Sequence, residues 1–266
     1  MNKPKVIFFG NGPLATAVFS ALKDEIELVL WAKKKEDLLE VQKIMEGAEY
    51  KIYGILASFG ILIPRNVLEL FEPEGILNIH PSLLPELRGP SPIETAILRG
   101  DTEFGVSIMK LVPKMDAGPI YYQRKIAFNK FVQKAEIYEV LGKTGGEWLI
   151  KNLEHLPEPI LQDEDLATYC EKLDTSMAVL KPSEQTAEEM MDQVRAFSGF
   201  PKTRFEAFGM DCIIITAHLS NEPEVIKGRS DLSIMGKDGL YLVIDTLQPA
   251  GRKVMDAKSF VNGYGR

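Results

Sequence analysis

The chain has 266 residues, 45% of them hydrophobic and 26% charged, with a formal net charge of −7. That apolar content suffices for a large core in one or two domains, and the acidic balance argues against a protein that coats nucleic acid indiscriminately. The apolar runs are strand-sized rather than membrane-sized, and the opening MNKPKVIFFG leads into a buried-strand pattern rather than a signal peptide, so a cytoplasmic protein away from membranes is expected. Cys170 and Cys212 lie far apart, with no CxxC and no histidine at ligand spacing, so neither a disulfide framework nor a metal site is expected.

In chain order, 5–10 (KVIFFG) reads as a strand, 13–22 as a helix, 26–31 (IELVLW) as a strand and 36–45 as a helix. Residues 52–57 (IYGILA), 75–79 (GILNI) and 105–111 (GVSIMKL) read as further strands, and 131–153 as a long closing helix. Short β-rich runs alternating with helices predict an α/β fold, a doubly wound parallel sheet with helices on both faces. Residues 156–166, with prolines at 157 and 159 and a cluster of acids, read as a linker. Beyond a helix around 186–197, the runs RFEAF, DCIIITAHL, DLSIMG and LYLVIDTL are separated by turn signals, the pattern of a small antiparallel barrel. From Arg195 onward basic residues outnumber acidic ones by ten to eight, so a mildly basic appendix follows an acidic body. It reads either as an RNA-contacting surface or as ordinary scatter of surface charge.

Gly10-Asn11-Gly12-Pro13-Leu14-Ala15 matches the loose glycine-rich dinucleotide fingerprint after the first strand. A true NAD site needs an acid at the end of the second strand to hold the ribose, and Trp31-Ala32-Lys33 stands there instead. A 2′-phosphate could suit the lysines, which keeps an NADP-type reading open beside the plainer one of a tight β–α turn.

The most informative stretch is 77–92, LNIHPSLLPELRGPSP. Asn78 and His80 are two apart at a strand end, so both point to one side of the sheet. Pro81, Pro85, Pro90 and Pro92 then impose a rigid loop at the strand's carboxyl end, where a doubly wound fold keeps its active site. His80 alone has a bland reading as a hydrogen-bonded strand-end residue. A second proline- and glycine-bounded loop, 112–119 (VPKMDAGP), brings Asp116 to the same sheet edge. An amide, an imidazole and a carboxylate suit acyl transfer to an amine, which needs a donor for the developing oxyanion and an acceptor for the proton lost by nitrogen.

LNIHPSLLPELRGPSPI followed by the MDAG loop resembles the catalytic signature of the folate-dependent formyltransferases. SFGILIP (58–64), RAFSGFP (195–201) and LQPAGRKVMDAKSF (247–260) resemble the members acting on initiator methionyl-tRNA, so the likeness runs from about residue 5 to about 262. It implies a Rossmann-like catalytic domain (1–155) binding 10-formyltetrahydrofolate, a linker (156–180) and an OB-like tRNA-binding domain (181–266), in a cytoplasmic monomer without a metal. By motif position, Asn78 and His80 polarise the formyl carbonyl, and Asp116 orients His80 and helps take the amine's proton. Ile61, Leu62 and Ile63, with the backbone of Val112, Pro113 and Met115, flank the pterin. Ser82, Leu83, Leu84 and Pro85 shape the pocket, with Leu84–Pro85 expected cis.

One departure stands out. Members of the family usually carry a longer basic loop between the second and third strands that enters the tRNA acceptor arm. Here only Lys33, Lys34 and Lys35 remain as candidates for that contact, joined by Arg252 and Lys253 of the C-terminal stretch; the lysines read equally as a solvated helix start. The shortened loop leaves open an amino-sugar nucleotide as acceptor. The other readings are the NADP-dependent reductase, which has no use for Asn78, His80 and Asp116, and a non-catalytic RNA-binding role.

Overall fold

The computed structural model describes residues 3–265. The chain divides into two units: the first runs to Ile93 and again from Thr102 to Glu171, and the second takes Glu94–Asp101 and the chain from Lys172 onward. Among the described residues no helix is long and apolar enough to cross a membrane.

The first unit is built on β1 (Lys5–Gly10), α1 (Gly12–Leu22), β2 (Glu27–Ala32), α2 (Asp37–Gly47), β3 (Ile52–Ala57), α3 (Arg65–Leu68) and β4 (Ile76–His80). β5 (Glu103–Lys110), β6 (Ile120–Ala127) and α5 (Lys134–Asn152) complete it, while α4 (Pro92–Leu98), between β4 and β5, belongs from Glu94 onward to the second unit. The six-stranded sheet has the order β2-β1-β3-β4-β5-β6. β1 to β4 pair in parallel, whereas β5 runs antiparallel to β4, and β6 to β5. The sheet is therefore mixed. The run 105–111 does not reveal the direction of β5, because the strand is buried on both faces and such a run reads alike either way. β6 was not foreseen: as an edge strand it leaves Gln123, Arg124 and Lys125 exposed, which spoils the apolar alternation.

α1 buries Leu14, Val18 and Leu22, spaced four apart along one face, and opens with a proline that needs no intrahelical partner. It lies close against α5 because small residues meet: a Cβ on Gly142 or Gly146 of α5 would sit 2.6 Å from the Cβ of Ala17 or 2.7 Å from that of Ala21. On the other face of the sheet Ile7, Phe9, Leu56 and Ile76 form a core with Leu38 and Val41 of α2. The first part of the expected linker is laid along this unit, since Ile160 bridges Ile120 and Tyr169 bridges Arg88.

In the second unit α6 (Ala187–Ala196) opens on a capping box between Thr186 and Glu189. β7 (Arg204–Ala207), β8 (Met210–Ser220), β9 (Ser233–Met235), β10 (Tyr241–Pro249) and β11 (Met255–Asp256) form a curled antiparallel sheet. β9 and β11 follow one another along the same edge of β10, opposite β8. α7 (Ala257–Tyr264) is capped by Asp256, whose carboxylate accepts from Ser259 N at 2.7 Å. Met190, Val194, Cys212, Ile214, Leu242, Leu247 and Phe260 fill the core of this unit.

Candidate active site

The end of β4 sets the site. Strand alternation sends Asn78 and His80 to one face, while Ile79 packs the other way against Gly145 of α5. Both polar side chains are nearly enclosed, Asn78 at 5% and His80 at 4% exposure. The loop between β5 and β6 carries Asp116 in a left-handed conformation, with φ of 47°. Asp116 Oδ1 accepts from Asn78 Nδ2 at 3.4 Å, and Oδ2 accepts from Gly89 N at 2.9 Å. The structure thus brings the amide, imidazole and carboxylate together.

The tautomer of His80 follows from its partners. Nε2 lies 3.0 Å from the Leu87 carbonyl, which can only accept, so Nε2 carries a hydrogen and donates it. Nδ1 is left facing Asp116 Oδ2 at 3.7 Å, which is beyond hydrogen-bond distance. Leu87, a residue the sequence reading did not single out, therefore fixes the imidazole more directly than Asp116 does.

These groups open onto a cleft of about 520 Å³ within the first unit, in the range usual for small-molecule sites. Ile61, Leu62 and Ile63 after β3, and Val112, Pro113 and Met115 before Asp116, all line it. Leu62 and Met115 are 81% and 61% exposed, apolar side chains left for something to cover. Ser82, Leu83, Leu84 and Pro85 are placed differently, as they do not line the cleft. Leu84 instead packs on Met109 and Ile120, and Leu83 lies against Gly105 of β5. The Leu84–Pro85 peptide is cis.

A polar scaffold, mostly missed from sequence, holds the two loops. The Ser107 hydroxyl on β5 donates to the Ser82 carbonyl at 2.6 Å and accepts from Leu84 N at 3.1 Å. Gln123 Nε2 on β6 donates to the Leu84 carbonyl at 2.7 Å. A lone serine in the apolar run GVSIMKL was the available signal for Ser107. Arg88 is fully buried, and its guanidinium forks onto Glu164, with 3.0 Å from Nη1 to Oε2 and from Nη2 to Oε1. Glu164 raises the pKa of Arg88, and Arg88, then Lys114, pull the Glu164 carboxyl down to about 2. Burial raises the pKa of the Cys170 thiol, which accepts from Ser91 N at 3.3 Å. Among the described residues no His, Cys, Asp and Glu side chains gather as a metal ion would need.

The glycine fingerprint has a structural use. Gly10 has φ of 145°, and a Cβ there would stand 1.9 Å from the Ala57 carbonyl oxygen of β3. Trp31 Nε1 donates to the Gly10 carbonyl at 2.8 Å, so an indole occupies the place where a dinucleotide site needs its acid. Lys33, Lys34 and Lys35 are exposed; the backbone N–H groups of Lys33 and Lys34 donate to Asp37, and Lys33 Nζ sits 4.2 Å from the Trp31 ring centre. Arg252 and Lys253 lie exposed in the turn after β10 of the second unit.

Comparison with known proteins gives the family. Residues 5–153 match the formyl transferase model and 173–265 the formyl transferase C-terminal domain model. The chain is 36% identical over 217 residues to the methionyl-tRNA formyltransferase of Granulibacter bethesdensis, covering 79% of this chain and 68% of that one. HypX from Aquifex aeolicus in complex with tetrahydrofolic acid is similar in fold, with TM-score 0.77 and 18% identity, over 99% of this chain and 48% of HypX. WlaRD, a sugar 3N-formyl transferase, superposes with TM-score 0.64 and 19% identity over 95% of this chain and 100% of its own. The fold is therefore shared with a protein described by a sugar acceptor, while the sequence match reported is to a methionyl-tRNA formyltransferase. By the first model, which spans the whole of the sheet, and by that identity, the chain belongs to the formyl transferase family.

Proposed function

We propose that this protein transfers the formyl group of 10-formyltetrahydrofolate to the amino group of methionine carried on initiator tRNA. The observation that carries the reading is the convergence of Asn78, His80 and Asp116 at the end of the apolar cleft. The acceptor is chosen by the identity to the Granulibacter enzyme, since fold does not choose it.

The cleft fits a folate. Its volume and its exposed apolar side chains suit a flat heteroaromatic ring held among Ile61, Leu62, Ile63, Val112, Pro113 and Met115. The folate supplies an activated formyl carbon. Asn78 Nδ2, at 3.4 Å only loosely engaged with Asp116, donates to the oxygen on which charge develops as the amine adds. His80 stands beside it, its Nδ1 3.7 Å from Asp116 Oδ2. Asp116, among the described residues the one carboxylate lining the cleft, receives the amine's proton, directly or through water. The bond from the formyl carbon to the folate nitrogen then breaks, and that nitrogen takes up a proton as tetrahydrofolate leaves. The exposed Lys33, Lys34, Lys35, Arg252 and Lys253 supply the positive charge for tRNA phosphates. The corresponding division of labour is a catalytic domain over 1–155, a connecting segment over 156–180 and a tRNA-binding domain over 181–266, in a cytoplasmic monomer that needs no metal.

The test is transfer of formyl from 10-formyltetrahydrofolate to methionyl initiator tRNA, with Asp116→Asn as control. Transfer that falls by about 10²-fold or more in the control, but stays measurable, is the expected result. Transfer to an amino-sugar nucleotide with none to tRNA would replace the acceptor and keep the chemistry. Tight binding of NADPH with no binding of folate would overturn the reading altogether.

A further inference from the structure

The segment that reads from sequence as a linker reaches under the catalytic loop. Gln162 Nε2 donates to the Asp116 carbonyl at 2.8 Å and to the Gly118 carbonyl at 2.7 Å. Its Oε1 accepts from Arg88 Nε at 3.1 Å and from Arg88 Nη2 at 2.8 Å. Both hydrogens and both lone pairs of one amide are thereby used. The orientation is forced, because a flipped amide would set its oxygen against two carbonyls and its NH₂ against a guanidinium. Arg88 is itself fully buried and forked onto Glu164, which fixes the plane of its guanidinium.

Asp116 needs such a hold. Its backbone is left-handed, a conformation that a non-glycine residue keeps only when its surroundings impose it. Gln162 pins the carbonyls at 116 and 118, on both sides of Ala117, and the residue next to Arg88, Gly89, pins the carboxylate through its N–H. Arg88 thus stands at the root of both restraints. Neither Gln162 nor Arg88 lines the cleft, so neither touches what the cleft holds.

We propose that Gln162, oriented by Arg88, is the positioning residue for Asp116, so that the 157–171 segment sets the geometry of the proton acceptor and not merely the distance to the next domain. The inference rests on the formyl-transfer reading above. A displacement of about 1 Å in a reacting group can cost 10²-fold in rate, and the same carbonyls lose their donor when the amide is removed.

The test is a double-mutant cycle on formyl transfer to methionyl initiator tRNA, using wild type, Gln162→Leu, Asp116→Asn and the pair, with kcat and the KM for 10-formyltetrahydrofolate read separately. Expected is a fall in kcat of about 10- to 100-fold for Gln162→Leu with the folate KM within about threefold. In the Asp116→Asn background the same change should cost less than about twofold, because the group it positions is already disabled. Gln162→Asn, which withdraws the amide by one methylene, carries the same cycle if Gln162→Leu does not fold. Unchanged kcat, or equal losses in both backgrounds, would overturn the proposal. Wild type inactive on tRNA would instead sink the functional reading, so the two failures are distinguishable.

Discussion

Asn78→Asp tests the chemistry most sharply, because the replacement is nearly isosteric and leaves the strand packing alone. It turns the amide donor into an acceptor at 5% exposure and sets two carboxylates about 3.4 Å apart. At an effective dielectric constant of about 20 their repulsion is of the order of 5 kcal/mol, enough to draw one shared proton into the pair. The donor to the developing oxyanion is lost at the same time, which alone costs about 10²- to 10³-fold in rate. Asp116 is also compromised as proton acceptor, so a fall in kcat of at least about 10³-fold is expected. The assay is single-turnover formyl transfer under saturating folate, with folate binding followed separately by quenching of protein fluorescence. Binding should survive, since the apolar walls are untouched. Turnover within tenfold of wild type would refute the reasoning, because neither the donor nor the carboxylate pair would then matter.

The Glu164 carboxyl, held down to about 2 by Arg88 and Lys114, gives stability that is present above its unfolded value near 4.5 and is lost as pH falls from there through about 2. Urea midpoints between pH 5 and pH 2 should therefore decline less steeply in Glu164→Gln than in wild type; parallel curves would assign the acid sensitivity elsewhere. Gly10→Ala forces a Cβ within 1.9 Å of the Ala57 carbonyl at a φ of 145°, and should cost about 3 kcal/mol in urea unfolding. A loss below about 1 kcal/mol would show that the turn has room, and would reopen a ligand role for the glycines. Replacing Lys33, Lys34 and Lys35 together by alanine should reduce the slope of log affinity for tRNA against log salt by about 2 if all three meet phosphates. An unchanged slope would assign them to the solvated face.

What could be read from sequence was what leaves a periodic or punctuated trace. β1 and β3 are unbroken apolar runs because both faces are covered, and their bounds at 5–10 and 52–57 match the structure. Asn78 and His80 were legible through the period-two rule at a strand end, and Asp116 through the proline and glycine that bracket its loop. β6 was not legible, because half of it faces solvent and carries charge. α7 was not either, since eight residues with an asparagine and a glycine carry little helical propensity; its stability comes from the Asp256 cap and from Phe260 buried in the core. Gln162 and Arg88 were hidden for another reason. Their contact joins residues 74 apart, and a glutamine in a proline-rich acidic stretch has no local feature that distinguishes a buried clamp from a solvated linker.

The loop after β4 has a meaning beyond rigidity. Sequence reasoning gave Asp116 the task of orienting His80, but Oδ2 stands 3.7 Å from Nδ1, while the Leu87 carbonyl is 3.0 Å from Nε2. A peptide carbonyl fixes a tautomer without bringing a second charge, so the imidazole is held without occupying a carboxylate lone pair. Leu87 offers that carbonyl because its own backbone is left-handed, with φ of 55°, in a turn whose neighbouring residues 82 and 84 are held by Ser107. Asp116 is thereby released from orientation and retains acceptor capacity beyond the Gly89 N–H and the long contact from Asn78. In the proposed reaction that spare capacity is what the amine's proton requires: a carboxylate bonded firmly to an imidazole would have less of it to offer. The two loops therefore divide the work, one orienting the histidine through its backbone and the other keeping a carboxylate available.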